Sequence, residues 1–506
     1  MVSRVVKGIM LSRQKELPKL PVPALQETLE RLWLSLQPIL SEQELDASRK
    51  AIDKFGERGG EGEYLHRVLT YRYKRLDNWL DEWWLNTAYL DVRTPLPVHS
   101  SPAALYPRQT FTSEEDFLLF AAKMTAAVLE FKDLIDRQAL TPETARHIPL
   151  DMTMYFKIFS MHRIPKPGRD ELVSYLDDAD PPRHIVVMHN NHLFQVNAYN
   201  GRKPFKERDL YPLLVSVVNE SRSVAPPVGM LTTEDRDSWT AACQRLAADG
   251  TNARSLDAVQ RSILVLCLDE AAGEKEPWEV RCPLHMLVGG GNAQCAGNRW
   301  YDKIAQEEDV EAQARPSDLP RRQAFKVGVQ PQPGEPARHR CSQDQNGRVG
   351  TRRGRHRPPV RGVRQGLRQV VPYEPRQLHP DGLPAVLLPA MYGQGVDRVL
   401  LGLKKVAEEM DRPLPELYKD PGYIKSINYE LSTSQVSAHN DILMTFGYSV
   451  PGGYGICYSN HCNQFRFSIC TRHCNKETSA VKFRDALETT LKEFGNNLIT
   501  LQKAKL

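Results

Sequence analysis

The 506-residue chain contains no apolar run of the length a membrane-crossing helix needs, so no transmembrane segment is expected. Cysteine is scarce. There are nine, an odd number, with no secretory leader ahead of them, which argues against a disulfide framework and for a reducing compartment. The glycine triplet Gly289-Gly290-Gly291 lacks the strand-to-helix context of a P-loop or dinucleotide fold, so it carries no phosphate-binding value. An excess of one charge is missing from most of the chain. Lys+Arg number 67 against 62 Asp+Glu overall, and Ile304–Ala390 alone holds 15 against 9. The basicity therefore belongs to that one segment.

The same segment lacks aromatics. Its 87 residues include 14 Arg and 12 Pro, but one Phe, one Tyr and no Trp or Met. So little apolar mass does not offset chain entropy, and disorder is expected from 304 to 390. The run Arg352-Arg353-Gly354-Arg355-His356-Arg357 has no interleaved aromatics to stack on bases. Solvated disorder outweighs nucleic-acid binding there, and no nucleic-acid partner is expected.

The rest is ordinary globular material, with 41% hydrophobic and 25% charged residues over the whole chain. Leu25, Leu29, Leu32 and Leu36 space as an amphipathic helix within 21–40. Ser41 followed by Glu44 is a capping box that opens a helix over 42–55, ended by Gly56, Gly59, Gly60 and Gly62. Residues 64–89 read as a further helix, and 112–138 as a long one with Phe117, Met124, Val128, Phe131 and Ile135 on its stripe. Residues 184–199 alternate as a hairpin about Asn190-Asn191. Residues 210–219 and 238–249 are helical, and 262–268 is a strand or a buried helical turn. After about Met391 come a helix over 396–410, strands over 454–458 and 464–470, and a closing helix over 479–502. Interspersed helices and strands give an α/β layered fold. Four regions result: a basic extension 1–19, an ordered part 20–303, the Arg/Pro-rich segment 304–390, and a second ordered part 391–506.

Three clusters invite chemistry. In Leu431-Ser432-Thr433-Ser434-Gln435-Val436, strand alternation points Ser432 and Ser434 to one face. Two hydroxyls on one face can donate to an oxyanion without adding a charge, although an isolated tripeptide of this kind is more often a polar edge strand. Asn78–Tyr89 holds three Trp in six residues. They wedge the helix into a core or line a cation pocket, and composition favours the core. Cys457, His461, Cys462, Cys470, His473 and Cys474 lack paired metal-ligand spacing and read as core thiols and surface histidines, so no metal is expected. His189 and His192 flank the hairpin turn without an evident partner.

Taken together, the motifs resemble the carnitine/choline acyltransferase family, in its acetyl-transferring, carnitine-using branch. The likeness rests on Leu20-Pro21-Val22-Pro23, the Trp-rich run with Ser100-Ser101-Pro102, Arg163–Asp170, Leu231–Trp239 and Gly297–Lys303. Beyond the gap it continues through Asp397-Arg398, Leu431–Val436, Val450–Gly455 and Cys474–Thr478. The resemblance implies two similar mixed-sheet α/β domains with a central tunnel, the middle of the chain disrupted. It implies reversible transfer of acetyl or short acyl groups between coenzyme A and carnitine, with coenzyme A as co-substrate and no permanent cofactor. Ser434 is then the oxyanion donor. Arg398, Ser432, Trp84, Tyr89 and Phe446 contact carnitine, Met444 closes the acyl pocket, and Gln435 contacts coenzyme A. His285 falls in a family-like block and is structural.

The family's general base is a His in a Glu-His-Ser/Ala motif shortly after the Asn-Arg-Trp block, and no such motif follows Asn298-Arg299-Trp300. His339, His356 and His379 stand in Arg/Pro-rich surroundings and are not candidates. The alternative implied is an inactive acyltransferase-like product without the central His and coenzyme A segment. Ala504-Lys505-Leu506 resembles a peroxisomal signal for an import receptor, and the basic stretch Met1–Lys15 resembles a short mitochondrial presequence, so peroxisome or mitochondrion is the expected compartment. GC-rich codons read out of frame yield Arg, Pro and Gly with few aromatics, and 304–390 is read this way until the frame resumes near Met391. Sequencing the transcript across Lys303–Gly393 should reveal the frame change. A continuous frame, with peptides from Ala305–Ala390 recovered by mass spectrometry, would remove that reading.

Overall fold

The computed structural model describes residues 8–96, 101–105, 109, 111–145, 147–268, 284–287, 325–327, 393–435, 443–460, 465–472 and 475–503. Almost all of 304–390, and Gly289–Gly291, lie outside this set. Two compact units are interleaved along the chain. One comprises Met1–Leu17, Leu90–Arg357 and Leu431–Arg484, the other Pro18–Tyr89, Pro358–Glu430 and Asp485–Leu506.

Among the described residues, the second unit is helical. The helix Leu25–Leu36 buries the leucine stripe expected of it. The helix Glu42–Phe55 carries the anticipated capping box: Glu44 N donates to Ser41 Oγ at 3.4 Å, and Ser41 N donates back to Glu44 Oε2 at 2.8 Å. The single helix expected over 64–89 is instead three pieces: Glu61–Arg75, Asp81–Leu85 and a π-helix, Asn86–Leu90. The break falls at Leu76–Leu80, where Asn78 Oδ1 accepts from Leu80 N. An Asx side chain competing for backbone donors favours a turn over a helix interior. The break lets Trp79 enter the core, 1% exposed, with its indole N–H on Leu20 O at 2.9 Å.

The helix Val396–Glu409 packs into this core through Val399, Leu400, Leu403 and Val406. Gly402 sits where that helix meets Leu69 and Trp79; a Cβ there would stand 2.7 Å from Trp79 and 3.1 Å from Leu69. Buried Ser48 and Asp420 lock the first helices to the later chain, with Ser48 Oγ donating to Asp420 Oδ2 at 2.7 Å.

The first unit holds a five-stranded mixed sheet and a three-stranded mixed sheet. The expected hairpin forms from His184–His189 and His192–Asn197, with Asn190 at φ 48° and Asn191 at φ 63°. Two successive left-handed residues make the tight turn whose twist matches that of the strands. Residues 262–268 resolve as a strand, Val265–Leu268, parallel to His184–His189. The helices Glu114–Asp136 and Glu207–Glu220 share a core with this sheet, including Phe131, Val187, Phe194, Leu214 and Leu266. Helices and mixed sheets match the α/β class.

Gly402→Ala tests the close helix approach. Alanine improves helix propensity by about 1 kcal/mol, but the buried, hydrogen-bonded Trp79 has little room to yield. Overpacking of about 1–3 kcal/mol should win, lowering the urea midpoint. A raised midpoint would show that propensity outweighs packing here.

Candidate active site

The Leu431–Gln435 strand behaves as alternation requires. Leu431, Thr433 and Gln435 are exposed, whereas Ser432 and Ser434 are half-buried on the other face. It runs parallel to Tyr454–Asn460, with Ser432 opposite Gly455 and Ser434 opposite Cys457. Across the sheet, Cys457 stands opposite Ser468 of Phe465–Thr471. Side chains at one register share a face, so Ser434, Cys457 and Ser468 form a row.

Two short strands lie against that row. Leu443–Thr445 pairs with Ala103–Leu105, placing Met444 opposite Ala104. Buried Met444 packs on buried Cys457, with Phe446 and Ala104 alongside. Ser468 Oγ donates to Thr445 Oγ1 at 2.5 Å. The chain then crosses the sheet closely at the Ser432 register. A Cβ on Gly455 would stand 2.3 Å from Gly447 O and 2.9 Å from Phe446 O. A side chain has no space at Gly455, which gives a physical reason for the glycine in the Val450–Gly455 run. Burial raises the Cys457 thiol above its ordinary range, so it packs as a neutral group.

Ser432 and Ser434 thus occupy two adjacent same-face registers of one sheet, opposite Gly455 and Cys457, and Met444 and Phe446 pack over that face. Gln435 lies on the opposite face from the serines. Trp84, Tyr89 and Arg398 belong to the other compact unit. Trp79 and Trp83 are buried there while Trp84 is half exposed, so the Trp-rich run divides between core and surface. Its cation contact is internal, with the Arg72 guanidinium 3.9 Å from the centre of the Trp83 ring. Tyr89 is partly buried, and that burial raises its phenol pKa.

Arg398 lies in the first turn of Val396–Glu409 and is exposed, with no ion pair to another described residue. Its neighbour Asp397 is engaged by Tyr429, whose phenol is pushed up to about 12 by burial and then by the Asp397 charge.

Of the remaining sequence candidates, some fall among the described residues and some outside them. Cys457 and Cys470 are buried core thiols, while His461, Cys462, His473 and Cys474 lie outside the described residues. His189 Nδ1 meets Ser221 Oγ at 2.7 Å and His192 Nε2 meets Ser223 O at 2.9 Å, partners too distant in sequence to be foreseen. His285 stands opposite Cys267 in a paired strand. His339, His356 and His379 lie outside the described residues.

The family model for Choline/Carnitine o-acyltransferase matches residues 20–308 and 385–489, most of the chain, and the chain belongs to that family. It is therefore an acyltransferase by descent, with coenzyme A as the family's co-substrate. Among relatives, carnitine O-acetyltransferase of Columba livia is 32% identical over 603 aligned positions, covering 99% of this chain and 96% of the relative. The Homo sapiens carnitine O-acetyltransferase is 29% identical over 98% of this chain and 95% of the relative. The Homo sapiens choline O-acetyltransferase is equally similar, 30% identical over 95% of this chain and 79% of the relative.

Gly455→Ala probes the crossing. Because the obstacle is a backbone carbonyl, the substitution should cost about 1–3 kcal/mol in denaturant unfolding. An unchanged midpoint would mean that residues 446–447 lift away freely.

Proposed function

We propose that the chain is built for reversible acetyl transfer between coenzyme A and carnitine, with the peroxisome or mitochondrion as its compartment. The observation that carries the reading is the face that Ser432 and Ser434 share, with Met444 packed against Cys457 beside Ser434. In the forward direction the carnitine hydroxyl oxygen attacks the acetyl thioester carbon as a general base takes its proton, an oxyanion forms, and the carbon–sulfur bond then breaks, the sulfur receiving that proton to leave as the thiol. Ser434 Oγ–H donates to the oxyanion, which needs a fixed donor and no added cation. Ser432 and the aromatic residues Trp84, Tyr89 and Phe446 contact carnitine, and Gln435 contacts coenzyme A. Met444, already buried against Cys457, leaves the acyl space short. Arg398 takes the carnitine carboxylate in a charge-assisted pair, which choline cannot offer.

A second reading has its own observation. The family match breaks off at 308 and resumes at 385, and no Glu-His-Ser/Ala run follows Asn298-Arg299-Trp300. A chain without the base that accepts the carnitine proton would hold its substrates without turnover.

Thiol release from acetyl-CoA separates the two. Under the first reading, carnitine drives release at least about tenfold better than choline in kcat/KM, and Arg398→Ala erases most of that preference. Ser434→Ala lowers kcat by about 10²-fold with little change in the carnitine KM. Calorimetric binding of carnitine with no release above background would establish the second reading instead.

A further inference from the structure

Asp170 is fully enclosed and gathers three guanidiniums. Arg163 Nε donates to its Oδ2 at 2.6 Å, Arg236 Nε to the same oxygen at 2.7 Å, and Arg93 Nη1 to Oδ1 at 2.9 Å. Arg93 also bonds Asp237 at 2.9 Å and Lys166 O at 2.8 Å. Arg236 is itself buried, and its Nη2 has no hydrogen-bond partner among the described residues. His162 beside them is kept neutral, its pKa lowered to about 4 by burial and then by the Arg236 charge.

Besides Lys166, whose carbonyl accepts from Arg93 and whose N–H donates to Asp170, the backbone bonded to this cluster lies within residues 90–93. Asp170 N donates to Leu90 O at 3.0 Å, Arg163 Nη2 to Val92 O at 3.1 Å, and Arg236 N to Arg93 O at 2.8 Å. Arg169 closes on the Asp91 carboxylate at 2.5 Å. Residues 90–93 directly follow Tyr89, and Leu90 is the last residue of the π-helix Asn86–Leu90. A π-turn is less stable than the α-helix it replaces and concentrates at functional sites. Its last carbonyls need partners from outside the helix, and Asp170 N supplies one.

We propose that Asp170 and its arginines are positioning residues for carnitine: by clamping residues 90–93 they fix the end of the π-helix that carries Tyr89. The inference rests on the reading of Tyr89 as a carnitine contact. Each residue of the 90–93 run is bonded, Asp91 by the adjacent Arg169 and the others by the cluster itself.

Arg93, less buried than Asp170 or Arg236, is the safest point of attack. In the full chain, Arg93→Ala should speed amide exchange across 90–93 and weaken L-carnitine binding by about tenfold in calorimetry, since small misplacements at a site are costly. Acetyl-CoA binding and exchange across 185–196 should be unchanged. Arg93→Lys, which keeps one carboxylate contact, should recover part of both losses. Faster exchange at 90–93 with L-carnitine affinity within about twofold of the parent would overturn the inference and leave the proposed function intact. If Arg93→Ala unfolds, Arg93→Lys decides by the same two readouts. A parent chain that does not bind L-carnitine removes the proposed function, and this inference with it.

Discussion

A carboxylate removed from water must be paired, and Asp170 meets that requirement with Arg93, Arg163 and Arg236. Removing one partner of such a group typically costs about 3–5 kcal/mol, because it strands the remaining charge. The cluster thereby fixes three stretches of chain to one another: 90–93, 163–170 and 236–237. The third contributes an N-cap as well, since Asp235 accepts from Asp237 N and Ser238 N. One buried charge thus sets the start of a helix, the hairpin made by Met161–Ile164 with Glu171–Ser174, and the exit of a π-helix.

The serine-bearing sheet depends on a different constraint, the absence of side chains where backbones cross. Gly455 lies between the Ser432 register and the chain at Phe446–Gly447. With a larger residue there, the segment carrying Met444 and Phe446 would stand off the sheet, and the face that Ser432 and Ser434 share would lose its cover. Thr445 and Ser468 add a hydrogen bond between the same two layers. The strand with the hydroxyl pair and the segment with Met444 are therefore held by packing and one polar contact among the described residues.

What could be read from the sequence divides along physical lines. Local signals survived. The Ser41/Glu44 box opened its helix where expected, Asn190-Asn191 turned its hairpin, and alternation placed Ser432 and Ser434 together. The helix expected over 64–89 breaks because Asn78 makes a turn and Trp79 takes a core position, neither of which the helical pattern marks. The Asp170 cluster had no local signal. Its partners are 7 to 77 residues away, and only the acidic and basic members of the Arg163–Asp170 and Leu231–Trp239 runs hinted at pairing. The hairpin Met161–Ile164 with Glu171–Ser174 and the helix Gly250–Gln260 were also missed, being short and weakly patterned.

The break in family likeness between 308 and 385 acquires a further meaning from the folded units. Both take chain from either side of it. Ser48 is bonded to Asp420 across 372 positions, both buried. Gly402 leaves room for Leu69 and Trp79 at the closest approach of the Val396–Glu409 helix. Such complementarity is demanding: a one-methyl change at Gly402 already meets the indole, and an unpaired Asp420 would be stranded in the core. Residues after 391 therefore fit residues before 90 as parts of one fold. Across the break in family likeness, the sequence after 391 packs with the sequence before 90, at a hydroxyl in Ser48 and at a missing methyl in Gly402.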